Sequence, residues 1–159
     1  LDPRSQTIAP KRFYLGGAST MRGYGEYEMI PEDRRAAAAQ QMERCATLAS
    51  GLGCTPELRR RLESGLMVPS EGGEAFLMLK GELRVPLGGS LEAGFFADVG
   101  NLWLDTTQVS LESLRLNAGL GLRLVTPVGP AAVDVGFIVN PDRRLNEPLV
   151  APHFTIGFF

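Results

Sequence analysis

The 159-residue chain balances 16 Lys and Arg against 18 Asp and Glu, for a net charge of −2, and is 44% hydrophobic. That balance lacks the basic excess of a nucleic-acid binder, and no run reaches the roughly 18 consecutive apolar residues that a membrane helix needs. It leaves two classes of equal composition: an ordinary soluble domain, and a membrane β-barrel whose strands turn alternate residues to lipid and to water.

The chain begins at Leu1 with no charged-then-apolar signal region, the expectation for a sequence whose natural start lies upstream. Residues 1–11 are polar, carry Pro3 and Pro10, and read as an irregular lead-in. Arg12-Phe13-Tyr14-Leu15-Gly16-Gly17-Ala18-Ser19-Thr20-Met21-Arg22-Gly23-Tyr24 follows, with neither a helical nor a strand period. Gly16, Gly17 and Gly23 permit backbone angles that other residues avoid, and the aromatics set the segment apart from a linker. It is a shaped loop, and Arg22 between Met21 and Gly23, beside Tyr24, is placed to meet a partner. Residues 1–30 form this first unit.

Residues 31–68 form a second unit, a helical hairpin. Pro31 stands at a first helical position with Glu32 and Asp33 in the first turn, where the helix dipole favours acids. Ala38, Met42, Cys45, Ala49 and Leu52 then share one helical face, and Gly51 is a stop. Thr55 caps a second helix that begins at Pro56-Glu57 and ends at Gly65. Cys45 and Cys54 lie in this hairpin at a spacing that fits neither a CxxC redox motif nor a zinc site. Two readings stay open. They are a disulfide stapling the turn in an oxidising exterior, or two free thiols acting as small buried hydrophobes.

Residues 69–159 change to a period of two and read as five strands. In the first, Phe76, Met78, Lys80, Glu82 and Arg84 oppose Leu77, Leu79, Gly81 and Leu83. In the second, Leu91, Ala93, Phe95, Ala97 and Val99 oppose Glu92, Gly94, Phe96, Asp98 and Gly100. The third sets Leu114, Leu116, Ala118, Leu120, Leu122 and Leu124 against Arg115, Asn117, Gly119, Gly121 and Arg123. The fourth sets Val133, Val135, Phe137 and Val139 against Asp134, Gly136, Ile138 and Asn140. In the last, Phe154, Ile156 and Phe158 oppose His153, Thr155, Gly157 and Phe159. Strands of about 9 to 11 residues have the length of tilted bilayer-crossing strands, where soluble sandwiches use five or six. Connections alternate between tight ones, Pro86–Gly89 and Pro127–Pro130, and long polar ones, Gly100–Ser113 and Pro141–Val150. Outer-membrane barrels place short turns in the periplasm and long loops outside, which puts the Arg22 loop and the hairpin outside and the chain end at the periplasmic side.

Several of these stretches resemble the BamA/TamA family of bacterial outer-membrane barrels, the bacterial surface antigen family. The resemblance is carried by Arg12–Gly17 with Met21-Arg22-Gly23-Tyr24, by Phe95–Trp103, by Ala118–Gly121 with Thr126–Pro130, and by the ending Phe154–Phe159. It covers most of the chain outside the hairpin, which departs from the family pattern. What it implies is the C-terminal portion of an antiparallel transmembrane β-barrel, an all-β fold with the helical hairpin inserted in an extracellular loop. It also implies that the loop of Gly16, Gly17, Arg22, Gly23 and Tyr24 folds into the lumen, where Arg22 meets Glu82 and Asp98 on the inner wall. Strand parity puts both acids on one face, taken as the lumen, with Lys80, Arg84, Arg115 and Arg123, the latter four as a solvated charged wall. Phe154, Ile156, Gly157 and Phe159 resemble the closing strand and its terminal aromatic.

Enzyme chemistry has no support. His153, the only histidine, lies on a strand with no neighbouring Cys or Asp in sequence and reads as a plain lumen or interface residue. No serine sits in a nucleophile elbow, and the Gly-Gly pairs precede no Lys-Ser/Thr. No catalytic site, metal site or cofactor is expected. The function implied by the resemblance is that of an outer-membrane assembly factor, which accepts client strands at a seam beside the last strand. Its partners would be unfolded outer-membrane proteins, the lipid bilayer and periplasmic or lipoprotein accessory subunits, with no nucleic acid. The alternatives are an exporter of a partner protein through the lumen, with the loop as plug, and a surface β-domain without a transport role.

Overall fold

In a computed structural model that describes residues 11–47, 54–127 and 129–157, the period-two segments become β1 (Ala75–Gly88), β2 (Leu91–Trp103), β3 (Arg115–Thr126), β4 (Gly129–Ile138) and β5 (Val150–Ile156). They form one sheet in sequential order, each pair antiparallel. Expected strand lengths hold for β4 and are exceeded by β1, β2 and β3, with 14, 13 and 12 residues, while β5 has 7 among the described residues. The excess in β2 comes from Gly100–Trp103, read from sequence as the start of a loop. Leu77 pairs with Asn101 and Ala75 with Trp103, so the ladder continues. It does so because Leu102, Trp103 and Leu104 are buried and gain more by packing than by turning out to water.

Tight connections join β1 to β2 and β3 to β4 at one end of the sheet, the end where β5 finishes. Residues 104–114 and 139–149 and the described hairpin residues lie toward the other end. Val128, Phe158 and Phe159 fall outside the described residues, as do residues 1–10 with their lead-in.

The sheet is inside-out for a protein in water. Leu83, Phe95, Leu120, Val135 and Pro152 form one cross-strand row, and most of that face is exposed, Leu79 being 73% exposed and Phe154 66%. On the opposite face Asp98 and Asn117 are 0% exposed. A large contiguous apolar surface belongs against lipid, and the alternation is that of a barrel strand. An arginine at Leu120 is expected to cost about 2–4 kcal/mol near the bilayer midplane, while Leu120→Phe should be nearly neutral. Urea unfolding in bilayers reads the difference, and equal tolerance of both would show that this face does not meet lipid.

The compact core is built by the loop and hairpin, not by the outer face of the sheet. Leu15, Met21, Tyr24, Met29 and Ile30 pack with Met42, Cys45, Leu58, Met67, Leu102 and Leu145. In the hairpin, Glu32–Arg34 form a single 3-10 turn ahead of α1 (Arg35–Thr47). Pro31 therefore precedes that turn with extended backbone (φ −52°, ψ 139°) and does not occupy the first α-helical position. Asp33 is used differently from a dipole acid: its carboxylate accepts the N–H groups of Leu104 and Asp105, at 2.9 and 2.8 Å, tying the hairpin to the end of β2. α2 spans Pro56–Glu63, with the Thr55 hydroxyl accepting from the Leu58 N–H at 3.2 Å. Ala38, Met42 and Cys45 form the buried face of α1, and Ala49, Gly51 and Leu52 lie outside the described residues. Cys45 and Cys54 are bonded to each other. The disulfide joins α1 to the residue ahead of the Thr55 cap.

Candidate functional site

The loop before the hairpin holds itself in shape. Gly16 and Gly17 have φ of +113° and +99°, in the left-handed region that side chains avoid. A Cβ on Gly16 would meet the Gly25 carbonyl oxygen at 2.3 Å. The Thr20 hydroxyl both accepts from the Gly16 N–H and donates to its carbonyl, each at 2.9 Å. The Gly17 N–H donates to the Tyr24 carbonyl at 3.1 Å, closing the tip. Gly23 differs from the expectation: its φ is not positive. Its requirement is space, since a Cβ there would lie 2.5 Å from the Asn117 side chain.

This closed tip lays Arg22 across the polar face of the sheet. Its Nε and Nη2 donate to the two oxygens of Asp98 at 2.9 and 2.7 Å, a two-pronged pairing, and its backbone N–H adds a third bond to Asp98 at 3.1 Å. Nη1 donates to Glu82 at 2.6 Å. The guanidinium carbon sits 3.6 Å from the Phe96 ring centroid, a cation–π contact. Arg22 is 3% exposed, so these bonds act with little water to screen them.

Glycines in the wall make room for the arrangement. Glu82, Phe96, Gly119, Gly136 and Ala151 stand in one row across all five strands. A Cβ at Gly119 would strike the Phe96 ring at 2.2 Å, and one at Gly136 would strike the Arg22 carbonyl oxygen at 1.8 Å. The row is a groove with the loop backbone lying in it.

The remaining wall cations were expected to be solvated, and two, Arg115 and Arg123, are not, while Lys80 stays exposed. Lys80 donates to the Ser19 carbonyl at 2.9 Å, fastening the loop tip. Arg123 is 3% exposed and pairs with Asp134 and, at 3.1 Å, with Glu82. Arg115 pairs with Glu147 and donates to the Tyr24 hydroxyl at 3.2 Å. The difference lies in their partners: a cation that gives up water takes a carboxylate or hydroxyl instead. Arg84 remains half exposed while donating to Glu82. On β5, Phe154 and Ile156 face outward and Gly157 lies just past the strand.

A family model described as the Omp85 superfamily domain matches residues 7–159. The chain belongs to the Omp85 superfamily. Among solved structures, the crystal structure of BamA from Haemophilus ducreyi lacking POTRA domains 1-3 aligns over 92% of this chain with a TM-score of 0.54 and 14% identity. At that identity the likeness is one of fold, and this chain spans 28% of that BamA chain. Its sheet is thus the C-terminal portion of an Omp85 barrel, a superfamily of outer-membrane insertion and transport proteins, with the helical hairpin inserted in a loop.

A second buried cluster in this Omp85 barrel part has no counterpart in the sequence reading. Glu147, 7% exposed, accepts from Arg35 of α1, from Arg115 of β3, from the Tyr24 hydroxyl and from the Asp142 N–H. One carboxylate thus joins the hairpin, the wall, the loop and the segment between β4 and β5. Nothing in Asn146-Glu147-Pro148 signals this, because no period or motif marks a residue that draws three of its four donors from distant segments.

Asp142 in the same segment has its carboxyl lowered to about 2, chiefly by the hydrogen bond from Arg144, against a smaller opposing effect of burial and with Arg35 contributing. A depressed value means that its contribution is present above the ordinary carboxylate range and is lost as pH falls through about 2. A carboxyl NMR titration should place the midpoint there, and Arg144→Gln should move it upward.

Proposed function

We propose that this chain is the closing part of an outer-membrane barrel that inserts other outer-membrane proteins, accepting client strands at a seam beside β5. The observation that carries the reading is the contrast between loop and closing strand. The loop is fixed to the wall by charged bonds at Arg22 and Lys80. By contrast, among the described residues β5 holds to β4 through seven register pairs, where β2 and β3 share ten. A short strand at the edge of a sheet separates most easily and offers its backbone groups to an incoming strand. Membership of the Omp85 superfamily and the likeness in fold to a BamA support the same reading. It places the protein in the bacterial outer membrane with unfolded outer-membrane proteins as clients and accessory subunits as further partners, and it asks for no catalytic group.

Export through the lumen, the other transport reading, needs the loop to leave. The buried Arg22 bonds weigh against routine departure, since breaking one side of such a pair is costly. The test is depletion of the protein in its host. Insertion predicts that folded barrels of many kinds fall together in the outer membrane. Loss of one secreted protein with barrel levels unchanged would favour export and sink the insertion reading.

A further inference from the structure

The side chain of Arg22 is held by β1 and β2, yet its backbone reaches the other edge of the sheet. The Gly23 N–H donates to Asn117 of β3 at 3.0 Å once the amide is oriented with its oxygen toward it. The Arg22 carbonyl rests on Gly136 of β4, where even a Cβ would not fit. His153 of β5 places Nε2 3.0 Å from that same carbonyl oxygen. A carbonyl only accepts, so Nε2 carries the proton and donates. Two residues of the loop therefore touch all five strands. Among the described residues, the His153 bond is the side-chain hydrogen bond between the loop and β5.

We propose that His153 is a positioning residue that couples the loop to the closing strand: while Arg22 is seated, its carbonyl holds β5, and when the arginine leaves its carboxylates, β5 is freed. Phe154 and Ile156 face outward and contribute nothing to this contact, while Ala151, on the inner face, carries no donor on its side chain. His153 alone on this strand combines inward parity with a side-chain donor long enough to reach a backbone carbonyl above the groove; Thr155 is inward but shorter. The placement of Gly136 beneath the carbonyl is part of the device, because any larger residue would lift the loop backbone away from the imidazole. The inference rests on the reading of β5 as the strand that moves, but it is tested without clients.

The test is hydrogen exchange of β5 amides in the full-length barrel held in lipid bilayers, with heat-modifiable gel migration confirming that each variant folds. Arg22→Ala and His153→Phe are each expected to speed exchange across residues 150–156 by about fivefold, the size of one lost hydrogen bond. Together they should do no more than either alone, because both remove the same link. His153→Gln, which keeps an amide donor, should preserve at least part of the protection. Multiplying effects in the double variant, or exchange in β5 that ignores Arg22→Ala, would overturn the coupling. If His153→Phe fails to fold, Gly136→Ala reports instead: it displaces the Arg22 carbonyl and should loosen β5, and unchanged protection would overturn the proposal. Coupling found in a protein that inserts no clients would refute the function proposed above and leave this inference standing.

Discussion

Arg22→Ala is expected to release the loop from the lumen and loosen β5 while the barrel still forms. The substitution removes three side-chain hydrogen bonds and leaves Asp98, which is fully buried, without its cation. Leaving one member of a buried pair behind costs about 3–5 kcal/mol. Part of this is relieved here, because Glu82 keeps Arg84 and Arg123. Asp98 keeps only the Arg22 backbone N–H among its bonds described above, so most of the loss falls on it. Water entering the groove would hydrate Asp98 only if the loop lifts, and so the loop lifts. Arg22→Lys should rescue in part, since an ammonium supplies charge but no planar fork. Limited proteolysis in the loop is expected to speed markedly in Arg22→Ala and to an intermediate degree in Arg22→Lys, with heat-modifiable migration retained in both. A loop as resistant in Arg22→Ala as in the parent would defeat the claim.

Glu147→Ala should be of similar size and act elsewhere. Its carboxylate serves two arginines, a tyrosine and a backbone N–H. Without it the Arg35 guanidinium, 2% exposed, keeps Asp142 at 3.5 Å and Glu32 at 3.8 Å, contacts too long to replace a hydrogen bond. A loss of about 3–5 kcal/mol is expected at the contact between α1 and the segment linking β4 to β5. The Cys45–Cys54 bond should keep the two helices together, so the hairpin is expected to detach as a unit. Hydrogen exchange should therefore rise across α1 and residues 139–149, with the middle of β3 unaffected. Arg115→Gln made in the Glu147→Gln background should cost less than in the parent, because the charge it answers is already gone. Additive losses would show that the two do not act as one cluster.

Much of this was legible in the chain because barrel strands carry their faces in plain alternation. Leu116, Leu120 and Leu122 against Asn117, Gly119 and Gly121 assign an outer and an inner side without any structure. Parity also puts Glu82 and Asp98 on one wall. Parity does not say which residues stand opposite each other, since that depends on register between strands that are distant in sequence. The groove of Gly119 and Gly136 is invisible for that reason, as is the approach of His153 to Arg22. The solvated wall was misread for a related cause. Arg115 and Arg123 alternate as exposed cations do, and only the acids brought beside them from other segments, Glu147 for the one and Asp134 and Glu82 for the other, draw them out of water. Glu147 lies in an irregular segment, where no period exists to read.

The central claim is that the Arg22–Gly23 turn lies against the inner wall of the barrel. Cysteines at Gly23 and Asn117, whose side-chain positions nearly coincide, should form a disulfide in intact cells. The same Gly23 cysteine with one at Leu116, on the outer face, should not. Crosslinking of the first pair alone is the predicted outcome. Both thiols of the Gly23–Asn117 pair remaining free and open to alkylation from outside the cell would place the loop in solvent and overturn the account.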